Sequence, residues 1–99
     1  MSMHITAVYP PQVEAGGPVH LQGSELGLAR WAVFTDENNK HSLTVAATGV
    51  DVGRAADSVC PDGLDTPSKG TIALSDATTR DEVTQSNTSN AVSIGFVAR

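Results

Sequence analysis

The apolar residues of this chain fall in short runs of period two, each closed by glycine, proline, asparagine or aspartate. That pattern constrains the fold most strongly, because a strand points successive side chains to opposite faces while a helix repeats about every 3.6 residues. Residues 70–75 alternate cleanly, with Ile72 and Leu74 on one face and Thr71 and Ala73 on the other. Residues 18–23 place Val19 and Leu21 inward and His20 and Gln22 outward, and residues 91–98 turn Val92, Ile94 and Phe96 inward. The chain reads as all-β.

The punctuation predicts the remaining elements. Residues 4–9 carry Ile5 and Val8 and stop at Pro10-Pro11, which have no ladder donors. Residues 12–15 continue on the other sheet before a turn at Gly16-Gly17. Trp31, Val33 and Phe34 lie in the next strand, where Trp31 is either a buried anchor or a stacking platform for sugars. The polar turn Asp36-Glu37-Asn38-Asn39-Lys40 predicts a hairpin into residues 42–46. Val50 with Val52, and Val59 with Cys60, mark two short segments separated by Gly53-Arg54-Ala55-Ala56. Residues 24–32 allow one helical turn at most: Leu26, Ala29 and Val33 have helical spacing, but Gly27 costs about 1 kcal/mol relative to alanine. In residues 76–90, threonine, serine and asparagine supply eight of fifteen positions and only Ala77 and Val83 are apolar. A long solvated loop is expected there, either a binding loop or a floppy one.

Size and charge bound the function. With 99 residues the chain makes one domain with one modest core, spanning 1–99, too small for a doubly wound nucleotide-binding fold or a barrel enzyme. About seven short strands at roughly ten-residue spacing predict a small β-sandwich. Six basic residues, scattered along the chain, stand against eleven acidic ones for a net charge of −5, which argues against nucleic acid as a partner. The single cysteine, Cys60, cannot form an internal disulfide. Met-Ser-Met-His-Ile lacks the basic and apolar regions of a signal peptide, and no apolar run approaches the roughly 18 residues of a membrane span. The expectation is a chain with no membrane partner that is made and kept in a reducing cytoplasm, or leaves it without the general secretion route, as a virus particle released by lysis does.

Ile5-Thr6-Ala7-Val8-Tyr9-Pro10, followed by Gly16-Gly17-Pro18-Val19-His20-Leu21-Gln22-Gly23-Ser24, resembles the opening of IPT/TIG domains. Those immunoglobulin-like sandwiches begin with an Ile-x-x-Val/Ile-x-Pro strand, a Gly-Gly turn and an apolar-x-apolar-x-Gly strand. Val59-Cys60-Pro61 resembles the family's strand ending in proline, and Gly70-Thr71-Ile72-Ala73-Leu74 its Gly-x-Val-x-Val strand. Ser89-Asn90-Ala91-Val92-Ser93-Ile94-Gly95-Phe96-Val97 resembles its closing Ser-Asn-x-x-x-Phe/Tyr strand. The likeness runs from Ile5 to Ala98 and implies an immunoglobulin-like, IPT/TIG-type β-sandwich in which the position of Trp31 is that of a buried core anchor. Two departures stand out: Leu26 or Leu28 replaces the aromatic expected after Gly23, and the 76–90 loop is long.

Catalytic patterns are weak. The serine of Gly23-Ser24-Glu25-Leu26-Gly27 stands one place early for a nucleophile elbow, and Lys69-Gly70-Thr71 is no phosphate loop. His4, His20 and His41, sixteen and twenty-one residues apart, form no ligand pair by spacing. They read as solvent-facing strand residues; a metal held by His4, His20 and a carboxylate requires their strands to be neighbours. Cys60 sits near Asp57 and Asp62, which blunt a thiol, so it reads as buried and structural. Asp57, Asp62 and Asp65 around Gly63 match no standard calcium loop and read as solvated carboxylates. Asn87-Thr88-Ser89 is a glycosylation sequon by chance alone.

No catalytic, cofactor-binding or metal-binding residue is therefore assigned, and no enzyme activity or cofactor is expected. The expected function is that of a structural or adhesive protein acting through its surface and sheet edges. An acidic, standalone immunoglobulin-like module without secretion signals points to the surface of a bacteriophage virion, with capsid or tail subunits, or a second copy, as partner. The alternative is a carbohydrate- or protein-binding accessory module, favoured if Trp31 or Tyr9 is exposed for stacking on a surface glycan.

Overall fold

The alternating runs fold as strands in the computed structural model, which describes residues 3–37, 41–62, 68–80 and 88–97. Among the described residues there are eight strands, rather than about seven: β1 (His4–Tyr9), β2 (Gln12–Glu14), β3 (Pro18–Ser24), β4 (Trp31–Asp36), β5 (His41–Val50), β6 (Ala55–Val59), β7 (Ser68–Ser75) and β8 (Val92–Val97). The described residues include two short 3₁₀ turns, Leu26–Leu28 and Asp51–Gly53. The first of these is the single turn that the spacing of Leu26 and Ala29 allows.

The strands form one hydrogen-bonded order, β1-β3-β6-β5-β4-β7-β8-β2. All pairs are antiparallel except β2 with β8. The two ends of that order, β1 and β2, are consecutive in the chain, joined through Pro10-Pro11, so the sheet is mostly closed and barrel-like. The ten-residue β5 belongs to both halves. Its first part pairs with β4, from Asp36↔His41 to Trp31↔Ala46, and its last part with β6, from Ala47↔Ser58 to Val50↔Ala55. At the changeover the Ser58 hydroxyl donates to the Ala46 carbonyl at 2.8 Å, satisfying an oxygen where the ladder switches partner.

A side chain completes the seam between β1 and the approach to β8. Asn90 accepts from the Ile5 N–H at 2.7 Å and donates to the Ile5 carbonyl at 3.0 Å. Its amide thus pairs with β1 as a neighbouring strand would, where the β1–β3 register slips between Ile5 and Ala7. Ser89 fixes the same segment, its N–H donating to the Leu74 carbonyl and its Oγ accepting from the Leu74 N–H, both at 2.8 Å. The ends of the 76–90 stretch are therefore tied down: Ala77 and Ser89 are buried, and Thr88 bridges to Ser75. Residues 81–87, with Val83, lie outside the described residues.

The core follows the predicted inward faces of β3, β7 and β8. Val19, Leu21, Ile72, Leu74, Ile94 and Phe96 are buried together with Ile5, Leu26 and Phe34. The rings of Phe34 and Phe96 lie 6.4 Å apart at 53°, a tilted aromatic contact. Gly70 makes room for it: a Cβ there would stand 2.4 Å from Phe96 Cε2 and 2.0 Å from the Thr35 carbonyl oxygen.

Three expectations are corrected. Trp31 is not a core anchor, because β4 turns Ala32, Phe34 and Asp36 inward and leaves Trp31 half-buried on the outer face. Its indole N–H donates to the Ala77 carbonyl at 3.1 Å, and Arg80 lies 5.5 Å from the ring centre. Ala55 and Ala56 do not separate two segments; both are buried within β6, and the separator is residues 51–54. Val52 belongs to no strand and is fully exposed in that turn.

Candidate interaction surfaces

Two apolar surfaces lie at opposite ends of β3. Beyond its C-terminal end, the turns Leu26–Leu28 and Asp51–Gly53 pack side by side. Close approach is possible because glycines meet there: a Cβ on Gly49 would stand 2.4 Å from the Leu26 carbonyl oxygen and 2.7 Å from Gly27 Cα. The second turn is left-handed throughout, with φ of 53° at Asp51, 55° at Val52 and 82° at Gly53. Glycine adopts that region freely, but a β-branched residue is held there against a steric cost of about 1–2 kcal/mol. Between the turns lies a groove of about 500 Å³ lined by Met3, Gly27, Leu28, Gly49, Val52 and Gly53. Leu28 is 60% and Val52 99% exposed on its rim. Glu25 and Asp76 also line the groove, and Asp51 directly precedes Val52.

At the N-terminal end of β3, Tyr9 and Val59 are 54% and 51% exposed. With Pro10, Pro11 and Pro18 they border an open, largely apolar depression. Register brings a polar pair to its side: Tyr9 stands opposite His20, and His20 opposite Asp57. His20 Nδ1 lies 2.6 Å from Asp57 Oδ1. A carboxylate only accepts, so Nδ1 carries the proton in this contact. This pair, 37 residues apart in sequence, has no local signature; cross-strand register alone creates it.

The structure separates most of the other candidates. β1 and β3 are neighbours, but His4 pairs with Ser24 while His20 pairs with Tyr9, so the two histidines sit at opposite ends of the pair. Asp57 is engaged with His20. The His41 side chain, Asp65 and Asn87 lie outside the described residues. Among the described residues, no three His, Cys, Asp or Glu side chains gather as a metal site would need. Cys60 is fully buried, with its N–H donating to the Gly17 carbonyl at 2.9 Å and its carbonyl accepting from Gly16 at 2.8 Å. Burial, and secondarily the Asp62 charge, push its thiol up to about 11 from an ordinary 9.0. Such a thiol is a poor nucleophile at neutral pH.

Among the described residues, no helix is long and apolar enough to cross a membrane. Comparison with protein-family models and with curated proteins found no match to this chain.

Proposed function

We propose that this chain is a non-catalytic, immunoglobulin-like module of IPT/TIG type that decorates a virion, a bacteriophage capsid or tail, through protein–protein contact. The observation that carries this reading is the placement of the exposed large apolar side chains. Tyr9, Leu28, Val52 and Val59 are not scattered but form two clusters, one at each end of β3. Clustered apolar exposure marks contact surfaces, whereas single exposed residues carry no such meaning. The charge of −5 keeps a free subunit soluble before it docks.

Strand order supports the immunoglobulin-like arrangement. With β1 as strand A, β3 as B, β4 as C, β6 as E, β7 as F and β8 as G, the long β5 serves as both C′ and D. The order then divides into A-B-E-D and C′-C-F-G, the two sheets of an immunoglobulin sandwich, sharing β5, with the short β2 added in parallel beside G. Of the closing-strand likeness, Asn90 ties the approach to the last strand to the first strand, and Ser89 ties it to β7.

The test is density-gradient sedimentation of native source material, followed by immunoblotting for this chain. Migration with a high-mass particle at many copies each is expected; a chain that stays at the top as a free subunit contradicts the virion role.

One observation favours a second reading, a glycan-binding accessory module. Tyr9 is exposed beside the His20–Asp57 pair, so the site offers a ring for stacking and a carboxylate that can accept from sugar hydroxyls. A glycan screen with the wild type and Tyr9→Ala decides it: binding lost in the variant supports that reading, and no binding by either removes it.

A further inference from the structure

We propose that two adjoining depressions over β1, β3 and β6 form one binding site for a short, neutral oligosaccharide, with Tyr9 at one end and Arg54 at the other. This rests on the glycan reading above, and adds to it the polar half of the site and the charge class of the sugar.

His20 joins the two halves. It borders the apolar depression of Tyr9, Pro18 and Val59, and it also lines a polar one of about 350 Å³ with Thr6, Gln22, Asp51 and Arg54. Register sets their order along β3. Tyr9 stands opposite His20, Gln22 lies between Ala7 and Ala55, and the Gly23 N–H donates to the Arg54 carbonyl at 2.9 Å. The three residues from the His20 row to the Gly23 row cover about 10 Å of strand, so an extended ligand can touch both halves at once. Two local irregularities shape the polar half. Thr6 is the extra residue of the β1 bulge, with no residue opposite it on β3, and bulges re-aim side chains in this way beside binding sites. Asp51 is held at the start of the left-handed turn, at φ 53°.

The lining groups choose the ligand. Among the described residues, the side chains of Gln22, Asp51 and Arg54 have no partner, although Asp51 and Arg54 carry opposite charges and line the same depression. Arg54 and the Gln22 amide nitrogen donate, while Asp51, the Gln22 oxygen and the Asp57 carboxylate accept. A ligand that answers this mixed set carries many groups that both donate and accept, as sugar hydroxyls do. The exposed Tyr9 ring gives the apolar face of a sugar a surface to stack on. Charge then selects among sugars. Arg54 offsets Asp51, and His20 engages Asp57 at 2.6 Å, so no excess of positive charge remains to hold a carboxylated or sulfated sugar. The net charge of −5 repels such chains further.

The experiment uses the whole chain on a printed array of neutral oligosaccharides of glucose, galactose, mannose and N-acetylglucosamine, beside the same chains carrying uronic or sialic acid. Wild type is expected to bind neutral oligosaccharides and to leave the acidic ones. Affinity for the neutral ligands should fall about tenfold in each of Tyr9→Ala, Gln22→Ala and Arg54→Gln. Gln22 and Arg54 are exposed and bond no other side chain among the described residues, so the urea midpoints of their variants should match wild type, which separates lost contact from lost folding. Binding that falls in Tyr9→Ala but is unchanged in Gln22→Ala and Arg54→Gln would overturn the proposal while the glycan reading stands. Binding that falls in those two but not in Tyr9→Ala would overturn the joining of the halves, and equal or tighter binding of acidic sugars would overturn the choice of a neutral ligand. No binding of any oligosaccharide by wild type would remove the glycan reading and the proposal together.

Discussion

Asn90 closes the seam between β1 and the chain entering β8, and removing its amide should cost far more than its exposed position suggests. Ile5 is only 2% exposed, and both of its main-chain groups on this side bond to Asn90, at 2.7 Å and 3.0 Å. Asn90→Ala leaves a donor and an acceptor unpaired in a partly buried setting. Each orphaned group costs about 1–3 kcal/mol. Because Asn90 itself touches solvent and water can reach part of the gap, the lower half applies, about 2–4 kcal/mol in all. Asn90→Asp sharpens the test. A carboxylate still accepts from the Ile5 N–H but puts a second acceptor against the Ile5 carbonyl, so the ionised form is disfavoured in the folded state. The introduced carboxyl therefore has a raised folded pKa, and stability relative to wild type is retained at low pH and lost as pH rises through that value. Urea denaturation of the three proteins at pH 3.5 and pH 7, with m-values compared, measures both effects. A loss under about 1 kcal/mol for Asn90→Ala, or an Asn90→Asp penalty that does not grow with pH, would refute the seam.

Two further outcomes can be checked by the same denaturation. Phe96→Ala should cost about 3–5 kcal/mol, because the ring is buried against Phe34 and the Gly70 backbone. Trp31→Ala should cost only about 1–2 kcal/mol, losing one hydrogen bond, one cation contact and partial burial; equal losses would put Trp31 back in the core. Cys60 should give stability an alkaline limb. Its folded pKa is about 11 against 9.0, so the folded chain keeps the proton that the unfolded chain releases. The neutral thiol's contribution is complete below pH 9 and falls by about 2–3 kcal/mol toward pH 11. Urea midpoints of wild type and Cys60→Ala at pH 7, 9 and 10.5 should converge as pH rises, and parallel curves would contradict the burial.

The sequence announces a strand clearly where only one phase is apolar. Val19 and Leu21, Ile72 and Leu74, and Ile94 and Phe96 each have polar or small residues between them, so their inward face is unambiguous. Trp31-Ala32-Val33-Phe34 is apolar in both phases, and hydrophobicity cannot choose between them; the Phe34–Phe96 contact does. β6 was illegible for another reason. Ala55 and Ala56 carry almost no β-signal, yet their small side chains suit a strand packed between β3 and β5. The candidate surfaces were the least legible part. A glycine predicts a left-handed turn at Gly53, but nothing in a Val-Asp-Val-Gly string says that the valine will share it. His20 and Asp57 meet only because β3 and β6 pair in a register that depends on the whole sheet.

The central claim, that the chain acts by docking onto a large assembly, is tested most directly by adding it back. Purified protein is titrated onto particles stripped of it, and the bound copies are counted after sedimentation. Saturation at a fixed number of copies per particle, lost when Tyr9, Val59, Leu28 and Val52 are replaced together by serine in a variant that still folds, is the predicted result. Binding that never saturates, or that is unchanged in that variant, would contradict it.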